Sequence, residues 1–324
     1  MSNKRTLHDF FSPPATKKIK VDTTTNLTTS TCDAASTHET YPFPVPQPPR
    51  ELLDFLSFAP ASEPRTMNDQ LDLDLLYFPP YIPKEAEKDL FLFLRRELFF
   101  YRVQYKIKRG AIETQINTPR YTTVFGVDES SRFASDGSLV DAQTNRSIPK
   151  DRYACRPRPL PGCLDALRQL TESCTGETFN FCLVNYYASG NDSISYHSDD
   201  EHFLGPEPAI ASISLGATRD FLMKHKPIPP STIAPVADPK PLKLPLASGD
   251  MVLMRGRTQA NWLHSIPKRK GAQSDKGRIN ITFRKTMVRG GTENYYRYNV
   301  GDGEVFKWNE GKRAMVPWAE VEGR

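Results

Sequence analysis

No stretch of this chain approaches the roughly 20 consecutive apolar residues that a helix needs to span a bilayer, and the N-terminus has no apolar signal core. Neither membrane insertion nor secretion is therefore expected. Cysteine is scarce: five residues among 324, an odd number with no C-x-x-C pair. That argues against a disulfide framework or a structural zinc site, and it suits a reducing compartment, nucleus or cytosol. A strong charge of one sign is lacking too. The formal charge of +5 permits a polyanionic partner without requiring one. Large apolar residues are thin over residues 1–66, where Thr23-Thr24-Thr25 and Pro44-Val45-Pro46-Gln47-Pro48-Pro49 sit in a polar stretch. Too few are present to offset the entropy lost on ordering, so a mostly disordered tail is expected there.

Two apolar islands interrupt that tail. Leu52-Leu53-Asp54-Phe55-Leu56-Ser57-Phe58 is apolar enough to dock on a neighbouring surface. In Lys4-Arg5-Thr6-Leu7-His8-Asp9-Phe10-Phe11, the side chains of Leu7, Phe10 and Phe11 share one face of a single helical turn. This island resembles the sliding-clamp-binding peptides of replication and repair proteins, with Lys4 where those peptides carry glutamine. Lys4-Arg5 followed by Lys17-Lys18-Ile19-Lys20 has the form of a two-part nuclear import signal.

A folded domain is expected over residues 67–289. Leu71–Phe78 alternates and stops at Pro79-Pro80, as an early strand does. Pro83, followed by Glu85, Glu87 and a later apolar spacing through Leu94, predicts a helix. A second helix is predicted over Pro161–Cys174, with Gly176 after it. Short strands follow at Phe179–Tyr187, Ile210–Leu215, Phe221–His225, Asp250–Arg255 and Arg278–Lys285. The proline-rich Pro227–Pro245 segment reads as a surface loop. This mainly β, α+β pattern predicts a double-stranded β-helix, or jelly roll, flanked by helices. Residues 290–324 carry Tyr295, Tyr296, Tyr298, Trp308 and Trp318, which predicts an ordered extension packed on the domain.

The chemistry concentrates late in the chain. His197-Ser198-Asp199 and the later His264 supply two imidazoles and one carboxylate, the ligand set of a facial iron(II) site with coordination positions left open. His225 is the alternative to His264, and its strand setting favours an ordinary hydrogen-bonded histidine. In Arg278-Ile279-Asn280-Ile281-Thr282-Phe283-Arg284, strand alternation puts Arg278, Asn280, Thr282 and Arg284 on one face and the apolar residues on the other. A guanidinium grips a carboxylate through paired charge-assisted hydrogen bonds. An acidic co-substrate beside a metal suggests an oxygenase.

The runs Asn180–Tyr187, Tyr196–Glu201, Ser214–Phe221 and Arg278–Lys285 together resemble the AlkB family of iron(II)- and 2-oxoglutarate-dependent nucleic-acid dealkylases, most closely its nuclear DNA-repair branch. The resemblance spans roughly residues 70–287. It implies that His197, Asp199 and His264 hold Fe(II), with molecular oxygen and 2-oxoglutarate as co-substrates. Arg278 and Arg284 would then take the co-substrate's carboxylates, and Asn185, Tyr187 and Thr282 would hydrogen-bond it. The implied reaction removes N-alkyl groups such as those of 1-methyladenine and 3-methylcytosine from DNA, duplex favoured, releasing formaldehyde and succinate. Asp200 and Glu201 would face the damaged base and Tyr153 would stack on it, with Cys155 where the family has phenylalanine. Tyr105 or Ile107 would wedge the duplex, with Lys106, Lys108, Arg109 and Arg120 on phosphates. A monomer acting in the nucleus is expected. The alternatives are the same chemistry on RNA or protein, or a non-catalytic, clamp-tethered DNA-binding adaptor.

Overall fold

Strands and helices build an α+β architecture in the computed structural model, which describes residues 35–109, 112–228, 238–271, 276–301 and 303–319. The clamp-like peptide at Leu7, Phe10 and Phe11 and both basic clusters of the tail lie outside these residues. Among the described residues, no helix is long and apolar enough to cross a membrane.

The helix Lys84–Glu97 starts behind Pro83, with Glu85 and Glu87 in its first turn and Arg95 and Arg96 in its last, which suits the helix dipole at both ends. It buries Ala86, Leu90, Phe91, Phe93 and Leu94. The helix Gly162–Thr175 ends where Gly176 takes the left-handed conformation, with φ of 74°.

Ten strands form one antiparallel sheet. Its order is Arg65–Met67, Leu75–Phe78, Met251–Met254, Ile210–Gly216, Arg278–Arg284, Phe181–Tyr187, Tyr121–Gly126, Phe100–Tyr101, Val305–Asn309 and Ala314–Pro317. A second sheet has four strands, in the order Ile194–His197, Trp262–Ile266, Arg219–His225 and Leu242–Leu246. The mixed α+β character is present, but the expected jelly roll is not. Among the described residues neither sheet closes on itself: each ends in two different edge strands, and no ladder joins one sheet to the other. The short strands Arg65–Met67, Val305–Asn309 and Ala314–Pro317 lengthen the larger sheet into an open layer.

The proline-rich segment also departs from expectation at its end. Leu242–Leu246 is a strand paired with Arg219–Met223, and Leu244 and Leu246 alternate into the core. Pro245 is tolerated because the strand lies at the sheet edge, where a missing N–H disrupts no second ladder. Part of the segment expected to be tail is packed as well. Ser36 bridges Val45, the helix Arg50–Leu56 buries Leu52 and Leu56, and Phe43 lies 4.5 Å from Trp318.

The strand Arg278–Arg284 sits inside the large sheet, between Ile210–Gly216 and Phe181–Tyr187. Its Ile279, Ile281 and Phe283 are fully buried in the apolar core. Its opposite face is the floor of a cavity.

Candidate metal and co-substrate centre

One cross-strand pairing and a short step along the chain assemble the metal ligands. His197 and His264 are direct partners on adjacent antiparallel strands, and a register shift follows Ile194 on the first of them. Their ring centroids are 4.2 Å apart. Asp199 lies two residues beyond His197, and one ligand atom from each of His197, Asp199 and His264 falls within 4.8 Å of the others. The His197 Nδ1–H donates to the Ser195 carbonyl at 2.9 Å, which leaves the Nε2 lone pair for a metal. Burial, then the neighbouring His197, pushes His264 down to about 3, so its imidazole is neutral as a ligand must be. Its Nδ1 is buried without a hydrogen-bond partner. Burial by itself would raise the Asp199 carboxyl, but Arg284, then His264 and His197, overcome that and hold it below the usual carboxylate range. The neutral His264 imidazole, the His197 ring and an ionised carboxylate, with ligand atoms this close together, fit a divalent first-row metal. His197, Asp199 and His264 form the facial triad typical of iron(II)- and 2-oxoglutarate-dependent dioxygenases.

The triad opens into a cleft whose lining includes Asn185, Tyr187, Arg278, Asn280, Thr282, Arg284 and Arg120. Arg278 is 1% exposed, yet only its Nη2 is satisfied, donating to Ser214 Oγ at 2.8 Å. Nε and Nη1 have no partner. Burial pushes its guanidinium down to about 10, as expected of a buried cation short of a counter-anion. Arg284 is different. Its Nη1 lies 3.3 Å from Asp199 Oδ1 and donates to the Tyr295 hydroxyl at 2.6 Å. Burial opposes its charge, but Asp199 and then Tyr295 raise its pKa. Thr282 Oγ1 donates to the Leu183 carbonyl, and Asn280 Nδ2 donates to Ser212 Oγ and the Ile213 carbonyl. The Arg278 guanidinium lies 5.4 Å from the centre of the Tyr187 ring.

The residues expected at the base and the duplex are distributed less evenly. Arg120, assigned to a phosphate, lines the cleft and donates from Nε to Asn185 Oδ1 at 3.0 Å. Asp200 is exposed and paired with Lys226 Nζ at 2.5 Å. Glu201 is partly buried, and burial, then Asp199, raises its pKa. Tyr153 does not line the cleft. It is buried in a small separate cluster with Val127 and Ile148, and its hydroxyl donates to Asp128 and accepts from Ser131. His225 stays outside the triad, with Nδ1 donating to the Lys226 carbonyl and Nε2 3.5 Å from Asp72. The side chains of Tyr105 and Ile107 lie outside the described residues, although their strand Gln104–Arg109 pairs with Ile112–Asn117 in a hairpin.

Several participants escape a reading of the sequence. Gln259, fully buried, accepts from the Asp199 backbone N–H at 3.1 Å. Ser214 and Tyr295, the acceptors of Arg278 and Arg284, complete the set; all three act across sequence separations that leave no local signal, the shortest being the eleven residues from Arg284 to Tyr295. Outside the cleft, Ile112 is 70% exposed where the hairpin ladder ends.

The match to known proteins follows this geometry. The family model described as the 2OG-Fe(II) oxygenase superfamily matches residues 74–284. The Arabidopsis thaliana protein named DNA oxidative demethylase ALKBH2 is 39% identical over 247 residues, covering 71% of this chain and 73% of the relative. The Homo sapiens protein of the same name is 40% identical over 136 residues, 41% of this chain and 49% of the relative. The Rattus norvegicus alpha-ketoglutarate-dependent dioxygenase alkB homolog 3 is 44% identical over 135 residues, 41% of this chain and 44% of the relative. The chain thus spans about half the length of these two mammalian relatives. The triad, the half-satisfied arginine beside it and the extent of the match agree: the chain belongs to the 2OG-Fe(II) oxygenase superfamily, in its AlkB branch.

Proposed function

We propose that this protein is a DNA-repair dioxygenase that removes N-alkyl groups from damaged bases. One observation carries the reading: the triad shares its cleft with Arg278, a buried cation whose Nε and Nη1 have no protein acceptor. A buried cation in that state calls for an anionic ligand. The carboxylates of 2-oxoglutarate meet that need, with Arg278 as the principal anchor. Asn185, Tyr187, Thr282 and the remaining donor of Arg284 complete the co-substrate site. When bound, iron(II) and 2-oxoglutarate supply the chemistry by which molecular oxygen hydroxylates an N-alkyl carbon, with succinate and carbon dioxide as co-products. The hydroxylated methyl group then leaves the base as formaldehyde. Burial of Asp199, His264 and the two arginines serves this chemistry by keeping bulk water from competing for their charges.

A base inside a duplex must be extruded to reach such a cleft. Ile112 suits the wedge, because it projects an apolar side chain into solvent from the hairpin tip, whereas Tyr105 and Ile107 lie further down the same ladder. Asp200 and Glu201 supply carboxylates that favour a cationic base such as 1-methyladenine. Residues 67–289 would carry the reaction, and the N-terminal peptide at Leu7, Phe10 and Phe11 would tether the protein to a sliding clamp in the nucleus. The protein would act as a monomer.

The test is turnover on 1-methyladenine and 3-methylcytosine in duplex DNA, single-stranded DNA and RNA, with succinate and formaldehyde measured together. Duplex repair with matched release of both products is expected, and His264→Ala should abolish it. Turnover confined to RNA would move the substrate assignment. An absence of succinate release under every condition would favour the adaptor reading.

A further inference from the structure

We propose that Tyr295, eleven residues beyond the last residue matched by the family model, is a positioning residue for the metal-binding carboxylate and acts through Arg284. The inference rests on the iron site proposed above. Arg284 Nη1 carries two hydrogens. Its two neighbours are the Tyr295 hydroxyl at 2.6 Å and Asp199 Oδ1 at 3.3 Å. The guanidinium carbon also lies 4.9 Å from the centre of the Tyr295 ring. One residue therefore holds the cation by its hydroxyl and flanks it with its ring.

Tyr295 is itself clamped. Its ring stacks on Phe181 at 5.0 Å and meets the edge of Phe203 at 5.6 Å. Phe203 belongs to the short helical turn His202–Leu204 and lies four residues after the metal-binding Asp199. The helix Arg289–Asn299 that carries Tyr295 presses Gly291 against Phe203, and a Cβ at Gly291 would lie 2.3 Å from that ring. This helix is thus seated on the same loop that bears the metal ligand.

The consequence concerns the two oxygens of Asp199. Oδ1 faces Arg284, whereas Oδ2 lies 4.0 Å from His264 Nε2, on the side where the imidazoles converge. An arginine released from its tyrosine is able to swing towards either oxygen and compete with the metal for the carboxylate. Tyr295 confines Arg284 to Oδ1 and so preserves Oδ2 for the metal. Groups that orient a metal ligand in this way typically account for roughly 10–100-fold in metal affinity.

Cobalt(II) alone, titrated into the full-length protein and followed by its d–d absorption, tests this without turnover. Tyr295→Phe keeps the ring and removes the hydroxyl, and should weaken cobalt binding about 10-fold with a changed d–d spectrum. Tyr296→Phe is the matched control. Its hydroxyl is also buried but donates to the Gly126 carbonyl at 3.1 Å, away from the triad, and its loss should leave cobalt affinity unchanged. Unaltered affinity and spectrum in Tyr295→Phe would overturn the proposal, and so would equal weakening in both variants, which would indicate general loosening of the helix. Failure of the unaltered protein to bind cobalt at the triad would overturn the metal site itself, a distinguishable result.

Discussion

The two ends of the strand Arg278–Arg284 carry the same residue type on the same face, both buried, yet they do different work. At one end Arg278 has Ser214 as its single acceptor and two empty donor positions. At the other, Arg284 Nη1 is engaged with Asp199 and Tyr295, while Nε has no partner. Burial strips both guanidiniums of water, so each needs anionic or hydrogen-bonding company. Where the protein supplies that company, the arginine positions other groups. Where it does not, the site is built for a ligand that arrives from solution. The difference lies in the partners and not in the residue.

Exchanging each arginine for glutamine is the strongest way to break this comparison. Arg278→Gln should raise the KM for 2-oxoglutarate by about 100-fold or more, since two charge-assisted hydrogen bonds of roughly 1.5–3 kcal/mol each are lost. Cobalt affinity should change little. Arg284→Gln should do the opposite, weakening cobalt binding roughly 10–100-fold with a smaller effect on that KM. If both variants move the same parameter, the assignment of one end to the co-substrate and the other to the metal ligand is wrong.

The shared face of this strand is legible in the sequence because side chains alternate with a period of two, so Arg278, Asn280, Thr282 and Arg284 have to fall together. The helix Lys84–Glu97 is legible for a similar local reason: Pro83 and the acids after it mark its start. The division of labour between the arginines is not legible. It depends on Ser214 and Tyr295, which reach the strand from a neighbouring strand and from a later helix. The open ten-stranded sheet is hidden for the same reason, since Arg65–Met67 and Ala314–Pro317 are too short to carry a pattern and pair only through long-range contacts. The strand Leu242–Leu246 is masked by the prolines around it. The burial of Tyr153 depends on Asp128 and Ser131, hydrogen-bond partners that no spacing rule connects to it.

A milder perturbation acts on the Arg284 end from a distance. Gly291→Ala places a methyl group where Phe203 already sits, so the ring or the helix has to shift. Overpacking of this kind costs about 1–3 kcal/mol, to be read as a lower urea midpoint at constant m-value. Cobalt affinity should fall alongside it, because the displaced helix carries Tyr295. A normal midpoint would show that the seat of the helix on Phe203 is slack.

The smallest expected effect belongs to the Arg278 end. Ser214 is buried on the neighbouring strand, directly opposite Asn280, and its Oγ is the acceptor that fixes the Arg278 guanidinium. Ser214→Ala removes that acceptor and leaves a third donor unmet, while the charge and the two donors facing the cleft remain. The loss should be that of one hydrogen bond, about 0.5–1.5 kcal/mol, or a few-fold increase in the KM for 2-oxoglutarate. Because Ser214 has no contact with Asp199 or Tyr295, cobalt affinity is the internal control. A rise in KM with unchanged cobalt binding separates the two ends of the strand at the level of a single hydroxyl. A change in cobalt binding would instead mean that the two arginines move as one unit.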